Sequence, residues 1–192
     1  DLKAKEDVYF NDGYIFEEDT IDCGTGYING KLVENTLKFY KIDLLFTFGC
    51  SLLKSNIFSI PKYGCVNLHT GLTQYYRGVD STMWAIYDNK FDRIGNTLHF
   101  VDDSIDGGGV IAQKPLDIKF LSKTDDINDL FIHTCLDGFE LIVNNLQFIV
   151  NKQIEVKNIG DGKLYKIKDK NKNIIKIANS NIREKYEELY SS

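Results

Sequence analysis

The sequence predicts an α/β protein: a Rossmann-like, open and mostly parallel sheet with flanking helices, followed by a small C-terminal hairpin and helix. Three observations predict it. A helical repeat (Leu32, Val33, Leu37, Tyr40) leads into the continuous apolar run 42–48, which is half a βαβ unit with a strand buried on both faces. Two more strand-like runs, 64–68 and 97–101, give way to small and polar residues, and in an open α/β sheet the carboxyl ends of strands are where sites are built. A third stretch places Ile127, Leu130, Phe131, Leu136, Phe139, Ile142, Val143, Leu146 and Ile149 at helical spacing, long enough to cover the sheet.

Taken in order, 8–10 and 14–16 read as short strands around the turn Asn11-Asp12-Gly13. Gly24, Gly26 and Gly30 read as a plain loop, since no strand precedes them and no Lys-Ser/Thr pair follows. After the strand at 42–48, a short helical turn around 55–60 is stopped by Pro61, and 63–69 returns as the next strand. Asp80 is placed to cap a helix carrying Met83, Trp84, Ile86 and Tyr87. Strands are expected at 94–101 and 110–118, and Thr124 or Asp125 is expected to cap the long helix. Lys163 to Lys168 and Ile174 to Ile177 then read as a hairpin around 169–173, and 182–190 as a closing helix. The expected organisation is a domain over 1–150 with an appendage over 151–192.

The net charge is −5 and unevenly spread: residues 151–192 carry ten Lys/Arg against six Asp/Glu, leaving thirteen against twenty-two before them. An acidic body disfavours nucleic acid as a partner, because phosphate neutralisation needs a basic surface. No run approaches a membrane span and no secretion signal opens the chain, so the expected location is cytoplasmic. The chain begins at Asp1 rather than Met, which suggests an upstream part. Cys23, Cys50, Cys65 and Cys135 lie far apart without a CxxC pair and read as free thiols, not metal ligands.

Two stretches carry the chemistry: 66–71, with Asn67 and His69, and 101–109, with Asp106. A neutral imidazole can take a proton near pH 7, a carboxylate can orient it, and an Asn amide can donate to a developing oxyanion. Together they form a kit for acyl transfer without a nucleophilic Ser or Cys. His99 and His133 read as structural, one within a strand and one on a helix.

NLHTGLTQYYRG (67–78), WAIYD (84–88) and GNTLHFVDDSIDGGGVIAQ (95–113), in this order and spacing, resemble the formyltransferases that use 10-formyltetrahydrofolate. The resemblance implies that Asn67, His69 and Asp106 are catalytic. It implies that Cys50, Ser51, Leu52 and Leu53, with Val101, Asp102, Asp103, Ser104 and Ile105, hold the pteridine. It further implies direct attack of an unprotonated amine on the formyl carbon, with Asn67 and protonated His69 holding the oxyanion, and no metal. Two departures stand out: Leu72-Thr73-Gln74 replaces the usual proline-containing turn, and the family's first βα unit is not found. Sugar N-formyltransferases are the most similar branch. They imply a nucleotide-linked (dTDP-type) amino-deoxy sugar as substrate, with Tyr75, Tyr76, Arg77, Gly78 and Trp84 as candidate contacts, and a homodimer formed through the tail. Glycinamide ribonucleotide and methionyl-tRNA formyltransferases are the alternatives, the latter disfavoured by the short tail. From another class, a non-catalytic folate-binding remnant remains open.

Overall fold

The computed structural model describes residues 22–24, 26–160 and 162–190. The short strands expected at 8–10 and 14–16 lie outside the described residues.

Among the described residues, four strands form the main sheet in the order β1 (Leu45–Phe48), β2 (Cys65–His69), β4 (Gly95–Phe100), β5 (Val110–Pro115). β1 and β2 run parallel, whereas β2–β4 and β4–β5 are antiparallel. Among the described strands the parallel character therefore lies at the β1 edge, and the sheet is mixed. Helix α1 (Lys31–Phe39) and the single turn α2 (Ser55–Phe58) lie on one face. The 24-residue α4 (Ile127–Val150) lies on the other.

Strand alternation explains why the two faces differ. Phe46, Val66, Leu68, Leu98 and Phe100 point toward α4 and pack with Leu141 and Ile149. The opposite face begins apolar, with Leu45 and Cys65 packed with Leu37, Leu53 and Ile57 near α1 and α2. Two residues further along it turns polar: Thr47, Asn67 and His99 stand in register across β1, β2 and β4, and His69 stands opposite Thr97. One face is thus core at one end and a site at the other.

α4 starts one or two residues later than expected. Asp126, not Thr124 or Asp125, is its cap: its carboxylate accepts from the amides of Asn128 (2.7 Å) and Asp129 (3.3 Å), while Asp129 answers to the Asp126 amide at 2.8 Å. Gly138 faces the sheet, where an added Cβ would come 2.8 Å from Leu68 and 2.7 Å from Asn96, so the helix buries a narrow stripe through Leu130, Thr134, Gly138 and Leu141. Leu136, Phe139, Val143 and Leu146, expected on the covering face, are exposed.

The C-terminal hairpin is not formed. Lys163–Tyr165 is a strand, β6, but it pairs in parallel with β3 (Tyr76–Gly78), and 174–177 lie inside helix α5 (Lys172–Tyr190). The physical reason is packing. Ile174, Ile175, Ala178 and Ile182 recur at helical spacing and join a core with Met83, Trp84 and Ile86 of α3 (Ser81–Tyr87), together with Leu130 and Tyr165. Asn181 also donates to the last carbonyls of α3, Ile86 at 2.9 Å and Tyr87 at 3.0 Å. The tail packs on its own chain, through this core and through β6 on β3. Asp80 precedes α3 in a left-handed conformation (φ 58°), and its carboxylate pairs with Lys170 at 2.7 Å instead of capping.

Candidate active site

At the carboxyl ends of β1 and β2 the polar row opens into a cleft of about 610 Å³, within the range of small-ligand sites. Asn67 and His69 are two residues apart on β2 and so share a face. Asp106 reaches them from the loop between β4 and β5. Its φ of 49° is a left-handed conformation that Asp tolerates better than most side chains. The Gly78 amide fixes its carboxylate, donating to Oδ2 at 2.8 Å.

The hydrogen bonds set each group's role. His69 Nε2 lies 3.2 Å from the Tyr76 carbonyl oxygen and so carries its proton there. The other nitrogen, Nδ1, faces Asp106 Oδ2 at 3.4 Å. His99 Nδ1 donates to the Phe100 carbonyl at 2.9 Å, which leaves Nε2 to accept from the Asn67 amide at 3.2 Å. Thr47 Oγ1 donates to Asn67 Oδ1 at 3.0 Å. Both ends of the amide are thereby oriented, with one N–H left over for a ligand.

His99 was read from the sequence as structural, yet its Nε2 also stands 3.7 Å from Asp106 Oδ1. It is a member of the cluster, orienting Asn67 and bordering Asp106. The signal that could have found it is register: a strand position directly opposite Asn67 shares its face.

Electrostatics follow from enclosure. Burial pushes the His69 imidazole below its ordinary value, opposed by the Asp106 charge. For Asp106 burial acts upward, but the neighbouring His99 and His69 imidazoles and the Gly78 amide together hold the carboxyl below the usual range. Burial raises the Cys50 thiol in the cleft wall and pushes Cys65 up to about 12. Both shifts disfavour the thiolate form.

Cys50, Ser51, Leu52, Leu53, Val101, Ser104 and Ile105 line this one cleft together with Asn67, His69 and Asp106. Residues 50–53 form neither helix nor strand, and Asn29 clamps them, donating to the Leu52 carbonyl at 2.9 Å and accepting from the Lys54 amide at 2.7 Å. Asp102 turns away: its carboxylate accepts from the Ser104 amide (2.8 Å) and hydroxyl (2.5 Å), and it borders a separate cavity of about 230 Å³. Asp103 lines neither cavity.

Of the five acceptor contacts expected, Gly78 alone lines the cleft. Tyr76 and Trp84 are buried core residues, linked through Tyr165, whose ring stacks on Trp84 at 4.1 Å and on Tyr76 at 6.2 Å. Arg77 spends its guanidinium on the Gly162 carbonyl (3.1 Å) and the Ile105 carbonyl (3.4 Å). Tyr75 lies beneath Arg93, 4.4 Å from its ring centre. These four read as acceptor contacts because their types suit one; three-dimensional packing places them elsewhere. Thr70, Val79, Asp80, Phe131 and Ile167 line the cleft without having been singled out.

The loop after β2 lacks the proline-containing turn but is held by side chains. Thr97 Oγ1 donates to the Gly71 carbonyl at 2.6 Å, Thr82 to the Thr70 carbonyl at 3.0 Å, and Gln113 to Gln74 at 2.7 Å. Gly71 is required sterically, since an added Cβ would stand 2.5 Å from Ser81 Cβ and 2.7 Å from His69 Nε2. Gly71→Ala is expected to push the imidazole off the Tyr76 carbonyl and to cut turnover at least tenfold, roughly the lower end of what a mispositioned catalytic group costs. Circular dichroism should still show a folded protein, and near-normal turnover would contradict this placement of His69.

An open α/β sheet brings Asn67, His69 and Asp106 together beside its strand ends, an arrangement of donors and a proton acceptor that suits group transfer. The chain belongs to the formyl transferase family, whose profile matches residues 29–134. Among curated relatives, a methionyl-tRNA formyltransferase from Clostridium beijerinckii is 31% identical over 158 residues, which is 81% of this chain and 48% of that protein. The chain spans about half the length of the curated relatives it matches, or less. Among solved structures, a sugar N-formyltransferase from a Shewanella species has a TM-score of 0.64 at 18% identity, covering 81% of this chain and 65% of that one. The formyltransferase PseJ from Anoxybacillus kamchatkensis, solved with UDP-4,6-dideoxy-4-formamido-L-AltNAc and tetrahydrofolate, has a TM-score of 0.59 at 19% identity, covering 91% and 78%. These structures share the fold.

Proposed function

We propose that this protein transfers a formyl group from 10-formyltetrahydrofolate to the primary amine of a nucleotide-linked amino-deoxy sugar. The observation that carries the reading is the meeting of Asn67, His69 and Asp106 in a cleft whose walls include 50–53, Val101, Ser104 and Ile105. The fit to a reduced folate rests on that cleft's size and on its wall of backbone free of regular structure, which can offer peptide groups to a flat heterocycle. When bound, the cofactor supplies the activated formyl group.

The protein's own residues do the rest. The free N–H of Asn67 donates to the formyl oxygen as charge develops on it. His69, neutral at rest, offers the Nδ1 lone pair toward Asp106, so a proton released by the amine can settle between them as an ion pair. Asp106 holds that imidazole in place, and His99 with Thr47 keeps the Asn67 amide facing the cleft.

The sugar is favoured by the solved relatives of the fold, several of which are sugar N-formyltransferases, and by the acidic body. The sequence relatives favour a second reading, methionyl-tRNA. A panel of nucleotide-linked amino sugars, glycinamide ribonucleotide and methionyl-tRNA, assayed for release of tetrahydrofolate, separates them. Turnover with methionyl-tRNA alone would replace the sugar reading, and tetrahydrofolate binding without turnover of any amine would leave a folate-binding remnant.

Because burial lowers the His69 pKa, the acid limb of cofactor hydrolysis without acceptor should have its midpoint below the ordinary histidine value of 6.5. The sign for stability is the same. The unfolded chain takes the proton more readily, so stability is full above 6.5 and is lost as pH falls through the depressed native value. An acid limb centred above 6.5 would contradict the buried, neutral imidazole.

A further inference from the structure

Ile167 is 77% exposed, yet it lines the cleft. It opens a short 3-10 turn, Ile167–Asp169, just after β6. Three contacts fix that turn. β6 is in register with β3, Tyr165 opposite Gly78, and the Val79 amide donates to the Tyr165 carbonyl at 3.1 Å. The Asp169 carboxylate accepts from the Lys166 amide at 2.7 Å. Lys170 closes the turn on Asp80 of the cleft wall at 2.7 Å. An apolar β-branched side chain is thereby held at the mouth of a polar site without packing neighbours to justify it.

Which ligand it meets follows from the layout. Both ligands must converge on Asn67, His69 and Asp106. If the cofactor takes the wall formed by 50–53, Val101, Ser104 and Ile105, the lining left for the acceptor includes Thr70, Val79, Asp80, Phe131 and Ile167, beside the Gly78 amide that holds Asp106. That side is mostly apolar. A sugar deoxygenated at its exocyclic carbon carries a methyl group where its counterpart has hydroxymethyl, and an aliphatic side chain prefers the former.

We propose that Ile167, carried to the cleft by the segment after β6, is a specificity-determining residue on the acceptor side, selecting methyl-bearing amino-deoxy sugars over their hydroxymethyl counterparts. This rests on the sugar reading above. The test uses the full chain, wild type and Ile167→Ser, with a matched pair of nucleotide-linked amino sugars, one bearing methyl and one hydroxymethyl at the exocyclic carbon. Wild type should favour the methyl sugar by at least about tenfold in kcat/KM, within the span one aliphatic contact can give, and Ile167→Ser should bring the ratio within about threefold of unity. Tetrahydrofolate affinity, measured by titration on the same proteins, should stay within about twofold, since the variant leaves the cofactor wall intact. An unchanged ratio in Ile167→Ser, or a shift confined to tetrahydrofolate affinity, overturns the role of Ile167 while the sugar activity stands. Failure of wild type to formylate any amino sugar sinks the sugar reading and this proposal together.

Discussion

Asn67→Ala and His69→Ala are each expected to lower turnover by at least two orders of magnitude while leaving tetrahydrofolate affinity nearly unchanged. Loss of one oriented oxyanion donor costs roughly 10²- to 10³-fold, and loss of a positioned proton acceptor roughly 10²- to 10⁴-fold. Affinity should survive because the segments 50–53 and 101–105 keep their own supports. Asn29 holds the first, and the Val101 amide donates to the Cys65 carbonyl at 2.8 Å in the second. Asp106→Asn should fall between wild type and these variants: it keeps an oxygen for the Gly78 amide but loses the charge that stabilises a protonated His69. The double variant Asn67→Ala/His69→Ala should lose far less than the product of the single losses, because groups acting on one reacting centre are not additive. Single-turnover kinetics with the preferred amine would decide it, and a His69→Ala protein within tenfold of wild type would remove the imidazole from the mechanism.

Much of this site was legible because it rests on strand parity and short motifs. Asn67 and His69 must share a face whatever the rest of the chain does, and the polar break after 101 marks the loop that carries Asp106. His99 was not legible, because its partner is set by the register of an antiparallel pair, which a single strand's sequence does not encode. Tyr76 and Trp84 misled for the opposite reason: amphipathic aromatics suit both a binding site and a core, and Tyr165, almost ninety residues on, decided for the core by stacking between them. On α4 the apolar residues form a band wider than the stripe the sheet accepts, so periodicity identified the helix but not which of its apolar residues would be covered. The tail failed as a hairpin because Ile174, Ile175 and Ile177 are β-branched and strand-like locally, while burial against Trp84 and Leu130 rewards the helical arrangement.

That tail burial sets the second large effect. Ile182→Ala and Tyr165→Ala are expected to destabilise the protein by about 2–5 and about 3–5 kcal/mol, the usual range for emptying a buried aliphatic or aromatic site. Ile182 is 1% exposed and Tyr165 6%, and both belong to the core that contains Trp84, Met83 and Leu130. Losses of this size take up much of the stability of an ordinary domain, so removal of 162–190 should leave no cooperative unfolding transition. A tail that merely decorated the sheet would behave otherwise: the shortened chain would melt near the wild-type temperature. The sole tryptophan reports on the same event, since Trp84 is 3% exposed in the folded chain and its emission should shift toward that of a solvated indole when the tail is cut. Catalysis should be lost with it even where some structure survives. β6 lies directly on β3, the strand whose Gly78 amide aims Asp106 and whose Tyr76 carbonyl holds His69, so loosening the tail releases two of the three groups proposed to be catalytic at once.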